Sequence, residues 1–78
     1  SEHAFGNAID IASFTLMDGT VIAVDTTRNP KHSLFLSKVR TAACGPFKTV
    51  LGPGSDSDHA THFHFDLAMR RNGGTFCQ

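Results

Sequence analysis

The stretch THFHFDLAM at residues 61–69 decides how this chain folds. Phenylalanine and leucine alternate there with histidine and aspartate, which is the period-two pattern of a β-strand. Side chains of a strand point alternately to its two faces, so the phenylalanines face the core. His62, His64 and Asp66 then share the opposite face. The stretch therefore predicts a strand with one apolar face and one face of ionisable groups.

A hairpin is predicted in the first third of the chain. Residues 7–16, NAIDIASFTL, alternate like a strand and place Asp10 on the side opposite the isoleucines. The Asp-Gly pair in MDGT, residues 17–20, favours a tight turn in which both central residues take positive φ. The β-branched VIAVD at 21–25 follows as the partner strand.

One helix and two more strands complete the predicted fold. An apolar stripe at helical spacing begins at Ser33 and ends at CGP, residues 44–46, where glycine and proline stop a helix. FKTVL at 47–51 is a short strand, and the last residues, 70–78, look irregular. The order ββαββ predicts an α+β domain in which one helix covers a small antiparallel sheet.

A domain of this size usually needs a cross-link or a bound metal for stability. A chain of 78 residues forms one domain at most, and such a domain buries only roughly 60% of its unfolded surface. Small domains commonly add disulfides or a metal. Cys44 and Cys77 are the two cysteines, and either a disulfide or two buried thiols fits the sequence. Paired cysteines would indicate an oxidising compartment.

Charge and hydropathy exclude some partners. Seven Lys plus Arg balance seven Asp plus Glu, and the basic residues form no run, so nucleic acid is not expected as a partner. No apolar run approaches the roughly 20 residues that span a bilayer, so no transmembrane segment is expected.

The histidines suggest an ion site. His62 and His64 stand two apart on a strand, roughly 7 Å from one another at about 3.3 Å per residue, which allows both to approach one ion. Asp10 is costly to bury unless it is paired or bound to metal. Gly6 permits an irregular backbone that would bring His3 over the Asp10 face. Histidines and an aspartate that merely occupy an exposed face are the alternative.

Three longer stretches resemble the C-terminal domain of bacterial extensin-like proteins. These are SEHAFGNAIDIASF at 1–14, FLSKVRTAACGPFKTVLGPG at 35–54 and DHATHFHFDLAMR at 58–70. That family is related to the zinc peptidases that include D-Ala-D-Ala carboxypeptidases, murein endopeptidases and lysostaphin-type enzymes, and to the hedgehog signalling domain. The resemblance implies a Zn²⁺ site with His3, Asp10 and His64 as ligands. It further implies that His62 and His59 are the catalytic side chains beside the metal.

The resemblance also implies a function and a setting. The expected function is zinc-dependent hydrolysis of amide bonds in peptidoglycan stem or cross-link peptides, in the periplasm or another exported location. Residues 1–78 are expected to be the C-terminal half of a longer domain, whose missing N-terminal half packs against them. One alternative is a non-catalytic, metal-stabilised module for cell-wall binding or interaction. Another is a structural fragment that binds no metal.

Overall fold

A computed structural model describes residues 6–25, 29–55, 57–69 and 73–78. Its regular elements are six strands, one α-helix and a 3-10 helix. In chain order they are β1 (Ala8–Ile11), β2 (Ser13–Thr15), β3 (Val21–Ala23), α1 (Pro30–Ala43), β4 (Thr49–Leu51), the 3-10 helix (Ser57–His59), β5 (Phe63–Asp66) and β6 (Phe76–Cys77).

Two sheets are formed, and β5 lies inside the larger one. The four-stranded sheet has the order β1-β5-β4-β6, and the two-stranded sheet pairs β2 with β3. β5 is antiparallel to both of its neighbours, whereas β4 and β6 are parallel. The predicted α+β class is confirmed. The predicted ββαββ order and purely antiparallel sheet are wrong, because the described elements run βββαβββ and the larger sheet is mixed.

The first predicted strand divides at Ala12. β1 pairs with β5, whereas β2 pairs with β3, and the Ala12 carbonyl accepts a hydrogen bond of 2.9 Å from the Val24 amide. Ile11 and Phe14 both pack against the core. Their positions differ by an odd number, so the apolar face changes parity at Ala12. That change of parity is the sequence signal for the break.

The hairpin is confirmed, but its turn is of another type. The Leu16 carbonyl accepts from the Gly19 amide at 2.9 Å, and the Leu16 amide donates to Thr20 at 2.8 Å. Only Gly19 has positive φ in this turn, at 90°, which fits a longer hairpin loop that ends in a left-handed glycine. Asp18 Oδ1 accepts from the Thr20 amide at 2.9 Å. This local hydrogen bond holds Asp18 in place without positive φ.

The helix begins three residues before its predicted start. Asn29 caps it, because its Oδ1 accepts from the amides of Lys31 at 3.0 Å and His32 at 3.3 Å. Pro30 suits the first helical position, where no amide hydrogen is needed. The predicted end is confirmed, since α1 stops at Ala43 and Gly45 takes a φ of 116°. The helix is not long and apolar enough to cross a membrane, and neither is any other helix of the described residues.

The core lies on the phenylalanine face of β5. Phe63 and Phe65 are buried, as predicted, and their neighbours in the core are Ile22, Val24, Leu36, Ala43 and Val50. The Phe14 ring meets Phe63 edge-on with centroids 6.4 Å apart, and Phe47 lies 5.2 Å from Phe65. Aromatic pairs in such arrangements stabilise a core by more than the burial of their surface alone.

A disulfide fastens the end of the chain. Cys44 at the C-terminus of α1 is bonded to Cys77 in β6, 33 residues later. β6 is further held by the Phe76 amide, which donates to Lys48 at 2.7 Å, and by the Gln78 amide, which donates to Val50 at 2.8 Å. The irregular C-terminus predicted from sequence is therefore wrong for residues 76–77, and residues 70–72 lie outside the described part.

Candidate functional site

Strand register brings three ionisable side chains together on the face of β5 opposite the phenylalanines. β1 lies antiparallel to β5 with Asp10 directly opposite His64. On the other side of β5, Thr49 of β4 lies opposite Asp66. Residues opposite one another in adjacent strands share a face of the sheet. His64 is thus flanked by carboxylates from its own strand and from β1.

The imidazole of His64 contacts both carboxylates. Its Nδ1 lies 3.0 Å from Oδ1 of Asp10, and its Nε2 lies 2.7 Å from Oδ2 of Asp66. The His64 side chain is 16% exposed and that of Asp10 is 48% exposed. The site therefore opens to solvent on the Asp10 side and is closed on the Asp66 side.

Asp66 is the buried end of this row. Its Oδ1 accepts from the Ala68 amide at 3.0 Å, and the Thr49 side chain also donates to it. Burial raises the pKa of the Asp66 carboxyl, but the hydrogen bonds from His64, Ala68 and Thr49 and the His64 charge outweigh burial and lower the pKa below its ordinary 3.8. Asp66 is ionised at neutral pH and accepts the Nε2 hydrogen of His64.

That hydrogen bond determines whether a cation is needed between Nδ1 of His64 and Oδ1 of Asp10. With Nε2 carrying a hydrogen, a neutral imidazole would turn the lone pair of Nδ1 toward a carboxylate oxygen. A cation removes the repulsion, either as a proton on Nδ1 or as a bound metal ion. Burial lowers the pKa of His64, yet the hydrogen bonds and charges of Asp66 and Asp10 outweigh burial and raise the pKa above its ordinary 6.5. The arrangement favours a positive charge at this point.

Two further histidines lie beside His64. His59 ends the short 3-10 helix, and His62 immediately precedes β5. The centroid of the His59 ring lies 5.1 Å from that of His62 and 5.8 Å from that of His64. The structure thus brings together His59, His62 and His64, which the family resemblance assigns to one site.

Part of the predicted ligand set is not covered by the structure. His3 lies outside the described residues. Across the ranges 6–25, 29–55, 57–69 and 73–78, no three His, Cys, Asp or Glu side chains are grouped as a metal site. Among the described residues, the predicted ligands Asp10 and His64 are adjacent.

The sequence analysis assigns no role to Thr49 and places Asp66 only on the histidine face of the strand. The structure shows that Asp66 is 6% exposed and bonded to His64. Thr49 is 4% exposed and carries no motif. Only the register of β4 against β5 reveals it, and that register is not readable from the residues of FKTVL.

The family of the extensin-like protein C-terminus matches the chain over residues 1–78. The chain belongs to this family. A search of curated proteins and a search of solved structures give no match. In this extensin-like domain, the matched range includes His3, Asp10 and the whole histidine stretch at 59–64.

Proposed function

We propose that this extensin-like domain is a zinc-dependent peptidase that hydrolyses amide bonds in peptidoglycan stem or cross-link peptides. The observation that carries the proposal is the facing pair of His64 Nδ1 and Asp10 Oδ1, 3.0 Å apart, with Nε2 of the same ring occupied by Asp66. A nitrogen and a carboxylate oxygen so placed suit a shared cation.

The donor set is suited to zinc. Imidazole nitrogen and carboxylate oxygen both bind zinc at about 2.0–2.2 Å, and two such ligands of one tetrahedral ion lie roughly 3.3–3.6 Å apart. The 3.0 Å between His64 Nδ1 and Asp10 Oδ1 would have to widen by a few tenths of an ångström to admit the ion. The described residues supply two donors, Asp10 and His64. His3 would hold the third position in a site of three protein ligands. An open fourth position would distinguish a catalytic site from a structural one.

The neighbouring residues have separate roles in the proposed reaction. Bound zinc would activate a water molecule and polarise the scissile carbonyl. Asp66 holds the His64 ring through Nε2 and so directs Nδ1 toward Asp10. His59 and His62 lie within ring contact of each other and are the groups that would take a proton from the nucleophile and return it to the leaving amine.

The setting proposed for this reaction is the periplasm or another exported location. The Cys44–Cys77 disulfide is compatible with an exported protein, because disulfides persist in oxidising compartments. We also propose the relationship to the D-Ala-D-Ala peptidase and hedgehog group, on the strength of the Ser-x-His-x6-Asp and His-x-His motifs.

A non-catalytic module is the second candidate. The His64–Asp10 contact joins β5 to the edge strand β1, so a cation there would also hold the sheet together. A module of this kind would bind cell wall through a surface and keep the metal for stability. It would have no use for His59 and His62 beside the ligands.

Zinc content and cleavage, measured together, test the proposal. Elemental analysis should find zinc in the purified protein and its loss in His64→Ala, while His32→Ala on α1 serves as the matched histidine control. Mass spectrometry of murein fragments after incubation should show cleaved amide bonds. His59→Ala and His62→Ala should keep zinc and lose cleavage. Equal, near-zero zinc in the protein and in His64→Ala contradicts the metal site, and full zinc without cleavage favours the binding module.

A further inference from the structure

The loop 53–62, which the structure describes at residues 53–55 and 57–62, carries the two histidines that flank His64. It leaves β4 at Leu51 and rejoins the sheet at β5. Local bonds shape its start, since the Ser55 amide donates to the Gly52 carbonyl at 3.0 Å and the Ser55 hydroxyl donates to the same carbonyl at 2.7 Å. These bonds close a turn but reach no other element. The backbone that carries His59 is therefore held in part by the contacts that attach this loop to the rest of the fold.

Arg40 of α1 contacts both ends of the loop. Its Nη2 donates to the Pro53 carbonyl at 2.9 Å, where the loop begins. Its Cζ lies 5.7 Å from the ring centroid of Phe63, where the loop ends. Phe63 is the residue between His62 and His64, so one guanidinium joins the start of the loop to the strand that bears the site.

Gly52 shows how closely these groups approach. A Cβ at this position would lie 2.5 Å from Cδ1 of Phe63 and 2.6 Å from Nη2 of Arg40. Carbon atoms do not pack at such distances, so the absence of a side chain lets the guanidinium and the ring meet over the backbone. Phe63 is 1% exposed and belongs to the core cluster.

The Arg40 side chain is partly buried at an electrostatic cost. Its Nε is buried and, within the described residues, has no hydrogen-bond partner. Burial also lowers the pKa of the guanidinium. An apolar side chain would fill the same space without leaving a polar atom unsatisfied. The contact that an apolar side chain could not replace is the hydrogen bond to Pro53.

We propose that Arg40 is a positioning residue that fastens the two ends of loop 53–62 and thereby sets His59 against His62 and His64. The geometric part stands on the contacts of Arg40 alone. The consequence for catalysis rests on the proposed function, in which His59 and His62 transfer protons.

The test follows the ring signals of His59 in the zinc-free protein by NMR. Arg40→Met keeps the length of the side chain but donates no hydrogen bond, and Arg40→Lys keeps one donor without the planar guanidinium. Lys38→Met removes a cation from an exposed position of the same helix and is the matched control. In Arg40→Met, we expect loss of the cross-peak between the His59 and His62 rings and a shift of the His59 ring signals. Arg40→Lys should fall between the original protein and Arg40→Met.

The outcomes separate this proposal from a general loss of stability. A folded Arg40→Met protein with a lower melting temperature and unchanged His59 signals would overturn it, since Arg40 would then only fill space. If Arg40→Met does not fold, Arg40→Lys decides: His59 shifts no larger than those of Lys38→Met overturn the proposal, and larger ones support it. Where murein cleavage is observed, Arg40→Lys should lower kcat with zinc content unchanged. Failure of cleavage in every variant counts against the proposed function and leaves the NMR result to decide the role of Arg40.

Discussion

The two faces of β5 are stabilised by different kinds of interaction. On one face Phe63 and Phe65 are 1% and 4% exposed and contact other aromatic rings. On the other face His64 and Asp66 are held by specific polar bonds, and the row ends at the half-exposed Asp10. Apolar burial stabilises the first face without regard to charge. The second face is favourable only when its charges are balanced.

This difference has a practical consequence. Variants on the phenylalanine face should change the free energy of unfolding and leave the ion affinity of the folded protein nearly unchanged. Variants on the histidine face should mainly change ion affinity. Because the faces alternate residue by residue, neighbouring positions of one strand should give opposite results.

The largest effect is expected from Phe63→Ala. Phe63 is a fully buried aromatic side chain, and its truncation leaves a cavity as well as losing apolar burial. We expect the free energy of unfolding to fall by about 3–5 kcal/mol in urea titrations. Met17→Ala, at a fully exposed turn position, is the control and should change it by less than about 0.5 kcal/mol. Equal losses in both variants would show that the phenylalanine face is not the core.

Removal of the disulfide should come next. Cys77 lies opposite Val50 on the phenylalanine face, and its bond to Cys44 closes a long loop, with a sequence separation of 33. In the double variant Cys44→Ser, Cys77→Ser, the loop is no longer constrained in the unfolded chain, so stability should fall by about 2–4 kcal/mol. Thermal unfolding with and without a reductant measures this loss. A reductant that lowers the melting temperature of the double variant as much as that of the original protein would contradict the assignment.

Asp66→Asn tests the histidine face. The change keeps the shape of the side chain but removes the charge that orients the His64 ring through Nε2. We expect zinc affinity to fall by about 10–100-fold, the usual cost of losing such an outer partner, with a much smaller change in stability than for Phe63→Ala. Calorimetric titration with zinc measures the affinity. Asp58→Asn, at an exposed carboxylate within loop 53–62, is the control and should bind zinc as the original protein does.

The smallest effect is expected from Thr49→Val. The Thr49 hydroxyl donates to Asp66, and valine keeps the branched shape while removing that donor. Asp66 keeps its hydrogen bonds from His64 and Ala68, so loss of this one should lower stability by only about 0.5–1.5 kcal/mol and weaken zinc binding less than Asp66→Asn does. Urea titration and zinc titration of the same preparations give both numbers. Zinc binding weaker than in Asp66→Asn would place Thr49 closer to the ion than its contacts indicate.

Local patterns in the sequence predicted a good part of this structure. Alternation placed the phenylalanines in the core and His64 opposite them, and the Asp18-Gly19 pair located the hairpin. These features depend on near neighbours in the chain, so periodicity and turn chemistry suffice. The family resemblance placed Asp10 and His64 in one site. The register of β1 against β5 puts these two residues opposite one another.

Other features depend on pairing between residues far apart in the chain and could not be predicted from the sequence. The parallel pairing of β6 with β4 has no recognisable sequence pattern, because β6 consists of only two residues, Phe76 and Cys77. The break of the first strand at Ala12 follows from pairing with two different strands, β5 before it and β3 after it, and the change of parity between Ile11 and Phe14 does not reveal those partners. The role of Arg40 follows from contacts that join α1 to Pro53 and Phe63, and its spacing in the helix indicates only a position beside the apolar stripe.

In the proposed site, Asp66 fixes the His64 ring so that Nδ1 and Asp10 bind a cation together. Long-range ¹⁵N NMR of the His64 ring, recorded before and after zinc is added, tests it most directly. We expect Nε2 to keep its hydrogen in both states, while Nδ1 loses its proton and takes the chemical shift of a metal-bound nitrogen. A metal-bound shift at Nε2, or no change at His64 when zinc binds, would contradict it.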